Sequence, residues 1–175
     1  VGIKYLKLVF KSDYYKYGIS WEGLMRLKVS EIVKASGGKL LSGDENAVIT
    51  CFSSDSRDVK KGTMFVPMKG ERVDSHKFID DIFESGASAS FTEEKDITAG
   101  GTLVFVESAV SALQKVAGYY RGLFDIPVIG VTGSAGKTSA KEMIALALSS
   151  KKKTMKTIGN QNSQIGVPLT LFQLK

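Results

Sequence analysis

One cysteine and one histidine stand in 175 residues. Cys51 has no partner for an internal disulfide, which fits a reducing compartment and a cytoplasmic location. It lies in a strand-like run, Val48 to Phe52, and reads as a small buried hydrophobe rather than a nucleophile. His76 stands alone, so a Cys/His metal cluster is excluded. No apolar run is long enough to span a membrane. Internal repeats and low-complexity tracts are missing too. The first 24 residues lack the apolar core of a secretory signal, because Lys4, Lys7 and Lys11 interrupt it. The net charge of +6 invites a nucleic-acid partner, but its distribution argues against one. Residues 1–28 hold six Lys or Arg against two Asp or Glu, while the remainder holds 18 against 16. Lys151-Lys152-Lys153 follows a helix end, where cations suit the dipole. Neither nucleic acid nor membrane insertion is expected.

What is there is globular: 43% hydrophobic and 24% charged residues, enough for one domain or two small ones. Residues 1–24 crowd Tyr5, Tyr14, Tyr15, Tyr17 and Trp21 among lysines with no period, and read as an extension preceding a natural start at Met25. After Met25 come a short strand, a helix capped near Ser30 and a stop at Gly37-Gly38. Val48 to Phe52, Met64 to Met68, Ala87 to Phe91 and Leu103 to Val106 are strand candidates, with a turn at Lys61-Gly62. His76 to Ser85 is helical, with Phe78, Ile79, Ile82 and Phe83 on one face. Ser108 is placed to cap a longer helix to Phe124, and Pro127 stops any continuation. Strands alternating with helices imply an α/β class. The expected architecture is a small mixed α/β domain over 25–107, then the start of a parallel-sheet domain over 108–175, with the boundary in the region of the long helix.

That second domain opens on the most informative stretch. Val128 to Val131 is an apolar run that reads as a buried parallel strand. Thr132-Gly133-Ser134-Ala135-Gly136-Lys137-Thr138 follows, and then Met143, Ile144, Ala147 and Leu148 recur at helical spacing. Strand, glycine turn and helix N-terminus together make a phosphate site, where backbone N–H groups and the helix dipole face an anion. Lys137 is placed for the β- and γ-phosphates of ATP, and the Thr138 hydroxyl for Mg²⁺. The general phosphate-loop pattern also asks for a glycine where Val131 stands.

Three segments, in this order, resemble the Mur ligases, ATP-dependent amide-forming enzymes of peptidoglycan synthesis. Asp55-Ser56-Arg57 through Lys69-Gly70 and Asp74-Ser75-His76 resembles their uridine-diphosphate-binding segment. Thr132 to Thr138 is similar to the family's form of the phosphate loop, which accounts for Val131. Gly159-Asn160-Gln161-Asn162-Ser163-Gln164-Ile165-Gly166-Val167-Pro168 resembles the branch that adds D-alanyl-D-alanine to UDP-N-acetylmuramoyl-tripeptide, with Ser163 in place of a usual asparagine. The resemblance covers Met25 to Lys175.

It implies that Ser56 and Arg57 meet the uridine end, with Lys69, Gly70, Asp74 and His76 nearby. It implies roles for Asn160 and Asn162 with nucleotide or muramoyl-peptide substrate. The competing readings are local: a polar turn for Asp55-Ser56-Arg57, a helix start beside Asp74 for His76, and loop-backbone partners for the two asparagines. The resemblance further implies a monomeric full-length enzyme whose acidic Mg²⁺ residue, modified lysine and third domain lie downstream. The chain is accordingly expected to be an N-terminal fragment that does not ligate alone. A sibling ligase adding the third amino acid, a folylpolyglutamate or cyanophycin synthetase, a small-molecule kinase and a non-catalytic UDP-sugar-binding module stay open as alternatives.

Overall fold

The computed structural model describes residues 7–11, 25–70, 74–158 and 163–174. In chain order the elements are β1 (Lys7–Lys11), β2 (Leu27–Lys28), α1 (Val29–Ser36), β3 (Lys39–Ser42), β4 (Val48–Ile49), β5 (Cys51–Ser53) and β6 (Thr63–Phe65). Then come α2 (Ile79–Glu84), β7 (Ala89–Thr92), β8 (Leu103–Phe105), α3 (Ala109–Gly122), β9 (Val128–Val131), α4 (Lys137–Ser149), β10 (Thr154–Lys156) and α5 (Gly166–Leu171). Short 3₁₀ turns stand at Ser56–Asp58 and Ser75–Phe78. The chain divides into two compact units, Leu24–Val116 and a second made of Val1–Gly23 with Ala117–Lys175. The division falls inside α3, in the region of the long helix.

The 24–116 unit is built on a five-stranded sheet in the order β3-β8-β7-β6-β5. β5 to β8 run parallel in sequence order, and β3 closes the far edge antiparallel to β8. Every residue of β6 and β7 is buried, as expected of parallel strands covered on both faces. Ile32, Ile79, Ile82, Phe65 and Phe91 form part of a core from which water is excluded. The polar residues inside are satisfied: the Ser90 hydroxyl donates to the Phe91 carbonyl at 2.7 Å, and Thr63 Oγ1 lies 3.2 Å from Cys51 Sγ. Gly62 makes the turn into β6 with φ +87°, and an added Cβ there would collide with the Thr50 hydroxyl. α1 is not capped by Ser30. Glu31 instead accepts the Lys28 N–H at 2.8 Å, so the helix starts two residues earlier than a Ser30 cap would place it.

The unit containing β9 has a three-stranded sheet in the order β10-β1-β9. β1 pairs antiparallel with both neighbours, Val9 facing Ile129 on one side and Lys156 on the other. β9 and β10 therefore point the same way, joined through α4, with one strand between them. Residues 7–11 carry the central strand of this sheet. One expectation is corrected here: β9 is neither buried nor paired to a parallel neighbour. Ile129 is 38% exposed, and Gly130 is exposed as well. At the far end of this unit Tyr120 stacks edge-on against Phe124 at 5.1 Å and donates its hydroxyl to the Leu174 carbonyl at 2.8 Å, holding the chain after α5.

Candidate functional site

In the 24–116 unit, parallel strands in register deliver their following loops to one end of the sheet. Crevices beyond the carboxyl ends of parallel strands are where α/β folds bind ligands. Asp55 to Arg57 leave β5 there, Lys69 and Gly70 follow β6, and Glu93 follows β7. The sequence candidates thus converge on one end, although they are separated along the chain.

Asp55 organises the first loop. Its carboxylate accepts the Arg57 N–H at 3.0 Å, Nε at 2.9 Å and Nη2 at 2.6 Å. The Arg57 side-chain hydrogen bond pulls the Asp55 pKa down to about 2. The Arg57 side chain is 88% exposed although Asp55 holds its guanidinium. Ser56 is half-buried in the 3₁₀ turn. Lys69 and Gly70 are exposed, and Lys69 pairs through its backbone with Asp74.

His76 is used inward. Its ring is buried; Nδ1 lies 2.6 Å from Asp74 Oδ1, and Nε2 accepts the Glu93 N–H at 3.3 Å. That arrangement fixes a proton on Nδ1 and occupies both ring nitrogens. The His76 hydrogen bond in turn lowers the Asp74 pKa. Glu93 Oε1 then accepts the Ala109 N–H at 2.8 Å, capping α3. A relay runs from the loop after β6 to the start of α3, and within it His76 fastens loops together. Glu93 carries no sequence signal for this, because its partners are 17 and 16 residues away. Asp74 and His76 line a cavity of about 380 Å³. A larger one, about 630 Å³, lies at the β3–β8 edge among Lys39, Lys95, Ser108 and Lys115. None of the sequence candidates lines the larger cavity, so the chemistry of the conjoined loops, and not volume, marks the candidate site.

In the other unit, β9 runs into the loop 132–136, every residue of which is exposed. Gly136 has φ +74°, the left-handed region, and caps α4 without any side-chain hydrogen bond. A Cβ there would meet nothing within 4 Å, so the glycine is required by conformation and the cradle stands open. Lys137 is the first residue of α4, and its Nζ folds back onto the Gly133 carbonyl and, at 3.3 Å, the Ser134 carbonyl. Thr138 is exposed beside it. An open loop, a thirteen-residue helix behind it and an ammonium within reach fit a polyphosphate. Among the described residues no group of three or more His, Cys, Asp or Glu comes together. Asn160 and Asn162 lie outside the described residues. Ser163 has a local task, its hydroxyl accepting the Gly166 N–H at 3.0 Å as α5 begins.

α4 buries a different stripe from the one its apolar residues suggest. Met143 and Leu146 are 70% and 75% exposed, whereas Ala145 and the whole Lys141 side chain are buried.

Two family models match this chain: the Mur ligase family catalytic domain over residues 48–145 and the Mur ligase middle domain over 131–175. The chain belongs to the Mur ligase family. Among curated Mur ligases it is 40% identical over 132 residues to the UDP-N-acetylmuramoyl-tripeptide–D-alanyl-D-alanine ligase of Synechocystis, covering 74% of this chain and 29% of that protein. The Bacillus subtilis ligase of the same name is 34% identical over 154 residues, covering 86% and 34%. The structure of the UDP-N-acetylmuramoylalanyl-D-glutamyl-2,6-diaminopimelate–D-alanyl-D-alanyl ligase from Acinetobacter baumannii superposes with TM-score 0.73 at 26% identity, covering 89% of this chain and 35% of that one. The Thermotoga maritima MurF ligase in complex with ADP superposes with TM-score 0.62 at 36% identity, covering 71% and 29%. The chain spans about a third of the length of these Mur ligases. No helix among its described residues is long and apolar enough to cross a membrane.

Proposed function

We propose that this chain supplies the uridine-nucleotide-binding part and the ATP-phosphate-binding part of a Mur ligase that adds D-alanyl-D-alanine to UDP-N-acetylmuramoyl-tripeptide. The observation that carries the reading is the β9–loop–α4 unit, with Gly136 in the left-handed region and Lys137 opening the helix, in a chain of this family. In the complete reaction ATP phosphorylates the terminal carboxylate of the tripeptide, and the amine of D-alanyl-D-alanine then displaces phosphate. Lys137 and the backbone N–H groups of Thr132 to Gly136 orient the polyphosphate and offset its charge. To do so, Lys137 exchanges the carbonyls of Gly133 and Ser134 for phosphate oxygens. Thr138 contributes one oxygen ligand to Mg²⁺. Arg57 and Ser56 hold the uridine diphosphate end, with Lys69 and Gly70 beside them, and Asp74 and His76 fix the shape of that loop. Asn160 and Asn162 serve the nucleotide or the muramoyl-peptide.

Calorimetric titration tests this. The chain is expected to bind UDP-N-acetylmuramoyl-tripeptide and ATP–Mg²⁺, with Arg57→Ala weakening the first and Lys137→Met the second, each by tenfold or more. Binding of ATP with no uridine nucleotide bound under any condition would overturn the ligase reading and leave an unrelated phosphate-loop protein.

A further inference from the structure

The Lys141 side chain is fully buried, one helical turn beyond Lys137. Its Nζ donates to the Thr157 carbonyl at 2.6 Å and to Glu142 Oε1 at 3.0 Å. Glu142 pairs in turn with Lys156 on β10. Two successive residues of α4 are therefore fastened to the end of one strand. Packing alone does not account for this choice. Burying an ammonium is costly, and a methionine would fill the same space without that cost. The Thr157 hydroxyl is also buried with no hydrogen-bond partner, a second departure from what stability favours. An ammonium does what a methyl group does not: it fixes a helix against a particular carbonyl.

The position of that carbonyl matters. β9 and β10 both run antiparallel to β1, with Ile129 and Lys156 level across Val9. Thr157 is thus level with Gly130, two residues before the phosphate loop starts at Thr132. We propose that Lys141 is a positioning residue of the phosphate site: tied to the Thr157 carbonyl, it sets the height and rotation of the first turns of α4, so that Lys137 and the loop N–H groups meet the phosphates together. The proposal rests on the reading that this loop binds ATP.

Lys141→Met, Thr157→Val and the double variant, made in the full chain, test it by ADP and UDP titration, thermal melting and hydrogen exchange without ligand. Thr157→Val should melt no lower than the parent chain. The double variant removes both the buried ammonium and the unpartnered hydroxyl, so it should fold and bind UDP within twofold of the parent. Its ADP affinity should fall at least tenfold relative to Thr157→Val alone, with faster exchange over 137–144. A simple packing role would lower the melting temperature and leave ADP affinity intact. A folded Lys141 variant that binds ADP within twofold of the parent overturns the proposal. So does failure of both Lys141 variants to fold, which would assign the ammonium to the fold instead. If the parent chain binds no ADP, the ATP reading fails on its own, and unchanged exchange over 137–144 in the double variant separately overturns the tie.

Discussion

At the scale of single residues, Asp55 and Arg57 carry the clearest electrostatic signature. The Asp55 carboxyl titrates near 2 instead of its ordinary 3.8 because Arg57 hydrogen-bonds to its charged form. A depressed carboxyl pKa contributes stability that is complete above the unfolded value and is lost as pH falls through the folded one. The window for this pair is therefore pH 3.8 down to about 2. A diphosphate engaging Arg57 competes with Asp55, so saturating UDP should raise the Asp55 pKa in an NMR titration, and Arg57→Ala should raise it without ligand. An Asp55 pKa unmoved by UDP would mean that Arg57 stays with its neighbour and does not hold the substrate. His76 makes a contrasting prediction. Its ring satisfies the Glu93 N–H and Asp74 from a buried position, so His76→Ala should cost about 1–3 kcal/mol in a urea melt. Uridine-nucleotide affinity of the folded variant should fall, but by less than in Arg57→Ala, because His76 acts through the loop it fastens and not on the nucleotide.

At the scale of elements, the legible parts were those whose local signal agrees with their tertiary role. β8 announces itself as an apolar run, and Ser108 caps α3 as its position suggests, with its hydroxyl accepting the Ser111 N–H at 3.3 Å. Val48 to Phe52 was readable as extended chain, but Thr50 interrupts it by donating to the Gly62 carbonyl, and two short strands result. The facing of α4 was not readable. Hydrophobic periodicity assumes that a lysine points to solvent, and Lys141 points inward to a carbonyl 16 residues away. β1 was opaque for a similar reason: lysines bracket its apolar centre, and nothing local indicates two antiparallel neighbours more than a hundred residues on. The facing can be tested, because Met143→Lys on the exposed side of α4 should change the stability of this chain by less than about 0.5 kcal/mol. Gly136→Ala should cost about 1–2 kcal/mol through backbone strain alone, since its Cβ meets no neighbour. A larger loss in a chemical melt would reveal a steric role for that glycine.

At the scale of the whole molecule, the two candidate sites fall in different compact units, and each is assembled from its own strands and loops. Arg57 and Asp55 depend on β5 and the turn after it; Lys137 and Gly136 depend on β9 and α4. If each unit builds its site by itself, the two nucleotides should bind without mutual influence. Arg57→Ala should weaken uridine-nucleotide binding by tenfold or more and leave the ADP dissociation constant within twofold, and Lys137→Met should do the reverse. Binding should also be separable from turnover. Among the described residues no group of three or more His, Cys, Asp or Glu comes together, and the chain covers about a third of its relatives' length. With ATP, Mg²⁺, UDP-N-acetylmuramoyl-tripeptide and D-alanyl-D-alanine all present, a coupled assay should therefore register no ADP release above background, even at concentrations where titration shows both nucleotides bound. Release of ADP that depends on D-alanyl-D-alanine would show that 175 residues suffice for the chemistry, and would move the search for the missing Mg²⁺ ligands back into this chain.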